Sequence, residues 1–230
     1  GHRVYANAGF FNDAPTFAQS FISPRTRNSL MPDLKTMKTI ATDINYQYSN
    51  NGYDFRISGF WTKIMNQTDM MSYYDDSQNS FVNFAMSGID QRHMGIELGF
   101  KIPFFAKGLS LEGALSWGEY IYTSTPRMTM TIDNSAEVVY NNEPVSYWTG
   151  TPVYKKNITD HGIEYIKENG DYVVEKVNKH YVPSTPQLAA DLGFNYRTSS
   201  YWFFEINAQF FANSYLDLNP LYRTDWVVAG

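Results

Sequence analysis

The sequence contains no cysteine, which removes thiol catalysis, zinc–thiolate sites and disulfides together and suits passage through an oxidising compartment. It contains no run of 18 apolar residues, so a transmembrane helix is excluded. Membrane strands leave no such trace, because only every second residue meets lipid. Basic residues do not dominate: the net charge is −5 and no basic stripe is visible, which argues against a nucleic-acid partner. HExxH, GxSxG, P-loop and GxGxxG patterns are all missing, so no enzyme class is indicated and no catalytic residue or cofactor is expected. The four histidines, His2, His93, His161 and His180, are scattered. His161 with Glu164 reads as a pair of solvated loop residues, and no metal site is expected.

Aromatic residues are abundant, at 17% of 230 residues, a load that suits strands and membrane interfaces. The clearest pattern is Gln187–Phe211. Leu188, Ala190, Leu192, Phe194 and Tyr196 alternate with Gln187, Ala189, Asp191, Gly193 and Asn195. Thr198-Ser199-Ser200 reverses the chain, and Trp202, Phe204, Ile206, Ala208 and Phe210 then alternate with Phe203, Glu205, Asn207, Gln209 and Phe211. Period two of this length, roughly 9–11 residues per run, is what a strand tilted across a bilayer requires.

Five further strands follow from the same alternation: Val4–Phe11, Ile40–Tyr48, Tyr53–Trp61, His93–Ile102 and Leu109–Trp117. Asn51-Gly52 marks a tight hairpin. The connections alternate long and short, with long ones over about 12–36, 65–87, 125–185 and 213–230. In an up-and-down sheet this places short turns at one end and long loops at the other, the asymmetry of outer-membrane barrels. The charges Asp43, Asp54, Arg56, Glu97, Lys101, Glu112, Asp191 and Glu205 all fall on the less apolar face. A lipid-facing Lys or Arg at mid-depth costs about 2–4 kcal/mol, which gives that exclusion a cause. Lys63 and Glu119 break the phase only beyond Trp61 and Trp117.

The expected fold is therefore all-β: an antiparallel up-and-down transmembrane β-barrel wall with about seven strands in this chain. A soluble β-sandwich adhesin or glycan-binding module shares the alternation but not the long strands with one-sided loops.

Several stretches resemble TonB-dependent outer-membrane receptors. Arg92, Gly95 and Glu97 in Gly88-Ile-Asp-Gln-Arg-His-Met-Gly-Ile-Glu-Leu, preceded by Asn83, are similar to an Arg-x-x-Gly-x-Glu-like barrel strand. Arg56-Ile-Ser-Gly-Phe-Trp-Thr-Lys-Ile64 resembles a neighbouring strand of that family, and Val182-Pro-Ser-Thr-Pro-Gln187 the approach to a late one. Asn213–Thr224 resembles a late loop of Bacteroidetes-type members related to the SusC/RagA importers. The resemblance implies that residues 1–230 are a C-terminal portion of a 22-stranded plugged barrel, with the plug and last strands absent. It implies active uptake of a nutrient ligand (glycan, oligopeptide or metal chelate) driven by TonB through the absent N-terminal region. Outer-membrane lipid and a surface lipoprotein are the further partners it implies. A passive porin is the alternative within the same fold.

Two groups of candidate residues follow. Tyr73, Tyr74, Tyr147, Trp148 and Tyr154, in the long loops, are suited to stacking on sugar rings or clasping a peptide, or to packing the loops together. Asp43, Asp54, Arg56, Glu97, Glu112, Asp191 and Glu205 are expected to face the lumen, where they hydrate the wall, pair with plug residues or contact cargo in transit.

Overall fold

The computed structural model describes residues 1–104, 108–124, 126–144, 147–151, 154–159, 162–166, 172–175, 180–215 and 223–229. Among the described residues all the regular structure is antiparallel strand apart from one turn of 3-10 helix, Ala18–Ser20. The strands are β1 (His2–Asp13), β2 (Met37–Asn50), β3 (Tyr53–Asp75), β4 (Ser80–Pro103) and β5 (Leu109–Tyr122). The long connection then holds β6 (Arg127–Ile132), β7 (Val138–Pro144), β8 (Tyr147–Thr151), β9 (Tyr154–Thr159), β10 (Gly162–Ile166), β11 (Tyr172–Glu175) and β12 (His180–Tyr181). The chain returns with β13 (Pro186–Arg197), β14 (Phe203–Tyr215) and β15 (Arg223–Ala229).

The main sheet runs β1-β2-β3-β4-β5-β13-β14-β15, with β6 and β12 pairing onto β4 and β5. It is open, with β1 and β15 at its ends. β8–β11 form a separate four-stranded sheet. β2–β3, β3–β4, β4–β5 and β13–β14 pair as hairpins across short turns, because a tight turn leaves an antiparallel hairpin as the direct way to satisfy both backbones. The Asn51-Gly52 turn has positive φ at both residues, 51° and 84°, as a two-residue hairpin matching the strand twist demands.

The register carries the alternation across the whole sheet. Ile44, Gly59, Ile96, Trp117 and Leu188 stand opposite one another in successive strands, as do Tyr46, Ile57, Leu98, Leu115 and Ala190. These rows form an apolar face that no second layer covers. Ile57, Leu98 and Phe204 are 44%, 40% and 61% exposed, and Leu111 is half-buried. That removes the sandwich alternative, whose core would bury these side chains. Buried hydrophobic residues instead gather at the long-loop end, where Ile22 and Met31 pack on Ala85 beside Leu34 and Met70.

Two long connections differ from expectation. Residues 65–87 are not a loop: β3 and β4 continue to a turn at Asp76–Asn79, so the hairpin projects well beyond its neighbours. Its residues are strand formers, but register shifts between Ile64 and Asp69, with Asn66 at φ 58°, reset the phase and erase the period-two signal there. Likewise 213–230 is not loop throughout, because β15 pairs with β14 across a shift between Phe211 and Ser214. The reversal after Arg197 takes five residues, with Thr198 N–H donating to the Trp202 carbonyl at 2.8 Å and Tyr201 at φ 66°.

Gly95, in β4, is fixed by contact: a Cβ there would lie 2.5 Å from the Trp117 carbonyl oxygen and 2.9 Å from Phe60 Cζ. Gly95→Ala must push β4 from β5 and is expected to destabilise the fold by about 1–3 kcal/mol. Heat-modifiable gel migration of the folded barrel checks this, and an unshifted midpoint contradicts it.

Candidate functional site: a polar sheet face and a projecting tip

The face opposite the apolar one is built from the other half of each strand. Asp43, Asp54, Arg56, Glu97, Glu112, Asp191 and Glu205 share it by register, together with Lys101. On β1–β3 its side chains form a ladder. Asn7 Nδ2 donates to Asp43 Oδ1 at 2.9 Å and Asn45 Nδ2 donates to the same oxygen. Asn45 Oδ1 in turn accepts from Ser58 Oγ at 2.6 Å and from Arg56 Nη2 at 3.2 Å. Further along, Lys101 Nζ pairs with Glu112 Oε1 at 2.7 Å. A shallow hollow of about 410 Å³ lies where Arg56, Ser58, Glu97, Ser116, Asp191 and Gln209 meet. One cation and two carboxylates flank it among hydroxyl and amide groups, so it offers both donors and acceptors to a hydrated solute.

The second feature lies at the projecting tip. Segment 14–36 leaves β1, passes over the tip strands and is fastened there by a buried polar cluster. Asn83, Ser23 and Thr131 are fully buried. Arg25 Nη2 donates to Asn83 Oδ1 at 2.8 Å and Arg25 Nε to Asp133 Oδ2 at 3.1 Å, while its guanidinium carbon lies 4.4 Å from the Phe81 ring centre. Asn83 Nδ2 donates to Asp133 Oδ1 at 2.7 Å, and Ser72 Oγ donates to Asn83 Oδ1 at 2.7 Å. Every member is satisfied by another, the condition under which a buried polar network rigidifies. No single motif marks this cluster, because its members come from four separated stretches. Asn83, singled out above as part of the family-like approach, is its centre.

Burial by itself would raise the Asp133 carboxyl. Hydrogen bonds from Asn83, Arg25 and Ser23 and the Arg25 charge outweigh that and hold it below the usual carboxylate range. A depressed folded-state value means the contribution is complete at neutral pH and fades as pH falls below about 4. Amide exchange in segment 14–36 is therefore expected to accelerate below that pH in the wild type. In Asp133→Asn it is expected to be fast throughout, without that acid step.

Tyr73 and Tyr74 lie on the projecting hairpin as strand residues. Tyr73 stacks on Phe84 with ring centres 5.7 Å apart, and Tyr74 meets Phe81 edge-on at 5.3 Å. Both tyrosines stay about half exposed. Tyr147, Trp148 and Tyr154 fall in the separate sheet, on β8 and β9; their side chains, like His161, are outside the described residues. The Asp75 carboxylate is engaged within its own turn, accepting from the Ser77 N–H at 2.8 Å and hydroxyl at 2.6 Å. Those bonds hold it below its ordinary range.

A family model described as "TonB dependent receptor-like, beta-barrel" matches residues 1–225. The chain belongs to this family. It is barrel wall of an outer-membrane receptor class that transports ligands with TonB, and the match specifies no substrate. No curated protein and no solved structure matched the chain. In barrels of this family the uncovered apolar face of the wall has its solvent, the hydrocarbon of the outer membrane.

Proposed function

We propose that this segment belongs to an active importer of the SusC/RagA type, which captures a glycan, oligopeptide or metal chelate at its external end. Capture uses aromatic faces of the projecting tip, Tyr73 and Tyr74, with Tyr147, Trp148 and Tyr154 of the neighbouring connection. Cargo then moves along the polar face, where Asp43, Asp54, Arg56, Glu97, Glu112, Asp191 and Glu205 keep the wall wet. The family match over nearly the whole chain carries this reading. The half-exposed tyrosines on a rigid hairpin support the capture step, since aromatic area held in place binds at little ordering cost. Driving energy comes through TonB and a plug outside residues 1–230, so the wall needs no catalytic group. A surface lipoprotein that closes over the external end is part of the proposal.

Uptake by cells carrying the full-length receptor tests it. Accumulation of labelled glycan, peptide or chelate is expected to collapse when the proton gradient is discharged and to weaken in the Tyr73→Ala/Tyr74→Ala double variant. Uptake indifferent to the gradient would instead identify a passive pore.

A further inference from the structure

The hairpin of β3 and β4 outgrows its neighbour on one side. β2 pairs with β3 only as far as Lys38 opposite Met65, while β3 and β4 stay in unbroken register from Asp69 opposite Met86 to Asp75 opposite Ser80. One edge of β3 is therefore left open along the tip. Two bonds show which of its groups point that way. Gln19 Nε2 donates to the Thr68 carbonyl at 3.2 Å, and the Met70 N–H, turned from β4, donates to the carboxylate of its neighbour Asp69 at 2.8 Å. In an antiparallel ladder, groups directed away from the partner recur at every second residue. The Met70 carbonyl and the N–H and carbonyl of Ser72 and Tyr74 thus also face outward, and among the described residues no other backbone group bonds to them.

Open strand edges are normally blunted by lysine, proline or a bulge. Here Met71, Ser72, Tyr73 and Tyr74 are all exposed, and the stretch between Lys63 and Arg92 contains Asp69, Asp75, Asp76 and Asp90 but no lysine, arginine or proline. A strand added to this edge would meet Met71 and Tyr73 on one face and Met70 and Tyr74 on the other. The ligand that such an edge recognises must repeat donors and acceptors along an extended backbone, which a peptide does at strand spacing and a glycan or metal chelate does not. The acidic surroundings favour a basic one.

We propose that this edge takes an extended cationic oligopeptide as an added strand. Main-chain bonds to Met70, Ser72 and Tyr74 supply the affinity, and Asp69, Asp75 and Asp76 supply the preference for basic side chains. The span Met70–Tyr74 suits a peptide of about five residues. The inference deepens the capture step proposed above and rests on it.

Isothermal titration of the full-length receptor with acetyl-Lys-Val-Tyr-Val-Lys-amide tests it. An analogue N-methylated at alternate residues keeps one bonding edge and is expected to bind within about threefold of the parent, whereas one N-methylated throughout is expected to bind at least about tenfold more weakly. Replacing both lysines with glutamate is expected to weaken binding about fivefold. Ser72→Pro removes an outward N–H without touching the β4 ladder and is expected to lower affinity at least about tenfold. The methylated peptides probe the wild type, so they decide the matter even where Ser72→Pro does not fold. Full binding of the wholly methylated peptide, loss of the half-methylated one, or indifference to Ser72→Pro overturns strand addition, and an unweakened glutamate peptide overturns the charge preference. Self-association of the peptide-free receptor that Ser72→Pro dissolves assigns the edge to a second copy and overturns the peptide. Gradient-driven accumulation of a glycan or chelate by a receptor that binds no peptide overturns the edge site and leaves the importer standing. Peptide held at the edge without gradient-driven accumulation of any cargo does the reverse.

Discussion

Replacing Asn83 with leucine is expected to release segment 14–36 from the tip while leaving the barrel strands folded. The side chains are similar in size, so the volume filled at this buried position is nearly conserved. What disappears is the acceptor for Arg25 Nη2 and Ser72 Oγ and the donor to Asp133. Each stranded partner is costly in a fully buried site, and together they amount to roughly 2–4 kcal/mol. That cost falls on local opening, because segment 14–36 is otherwise held by Ile22 and Met31 in a small apolar cluster and by peripheral bonds such as Gln19 Nε2 to the Thr68 carbonyl and Arg27 Nη2 to the Glu137 carbonyl. The amides to watch are Ile22 N–H, bonded to the Ser29 carbonyl at 3.1 Å, and Met31 N–H, bonded to the Ser20 carbonyl at 2.8 Å. Their exchange is expected to accelerate by about two orders of magnitude, and trypsin to gain access at Arg25 and Arg27. Unchanged protection would mean that the apolar cluster, and not the polar one, fastens the segment.

The second large effect concerns the solvent of the apolar face. Leu98→Arg sets a guanidinium among Ile57, Leu115 and Tyr46, mid-strand and far from Lys63 and Arg92. In a bilayer it is expected to cost about 2–4 kcal/mol. Ala114→Arg, one residue from Leu115 on the polar face and opposite Asp191, is expected to cost well under half as much. Urea unfolding of the receptor in vesicles measures both. Equal costs would contradict hydrocarbon on one face and water on the other, and would leave only an all-β sheet of unassigned surroundings.

Legibility followed the pleat. Wherever a strand runs unbroken between Tyr53 and Trp61, or Leu109 and Trp117, each residue is either in lipid or out of it, so single residues carry the pattern and the faces are readable. The same was true of short turns, where Asn51 and Gly52 announce their own backbone angles. It failed at Asn66, where a bulge resets the phase and the strand-forming Tyr73 and Tyr74 read as loop. It failed again at Trp226-Val227-Val228, a run too short to stand out although β15 pairs there with β14.

The amino-acid sequence by itself determined which side of each barrel strand avoids charge and where the tight hairpins fall, because those are costs that each residue bears locally. The tertiary structure alone decided how the external end is held. Arg25, Asn83 and Asp133 lie 58 and 50 residues apart in succession, and no spacing rule links them. They become one cluster only after β3, β4 and β6 have paired and segment 14–36 has crossed them, since a buried polar group finds its partner by proximity in space rather than along the chain.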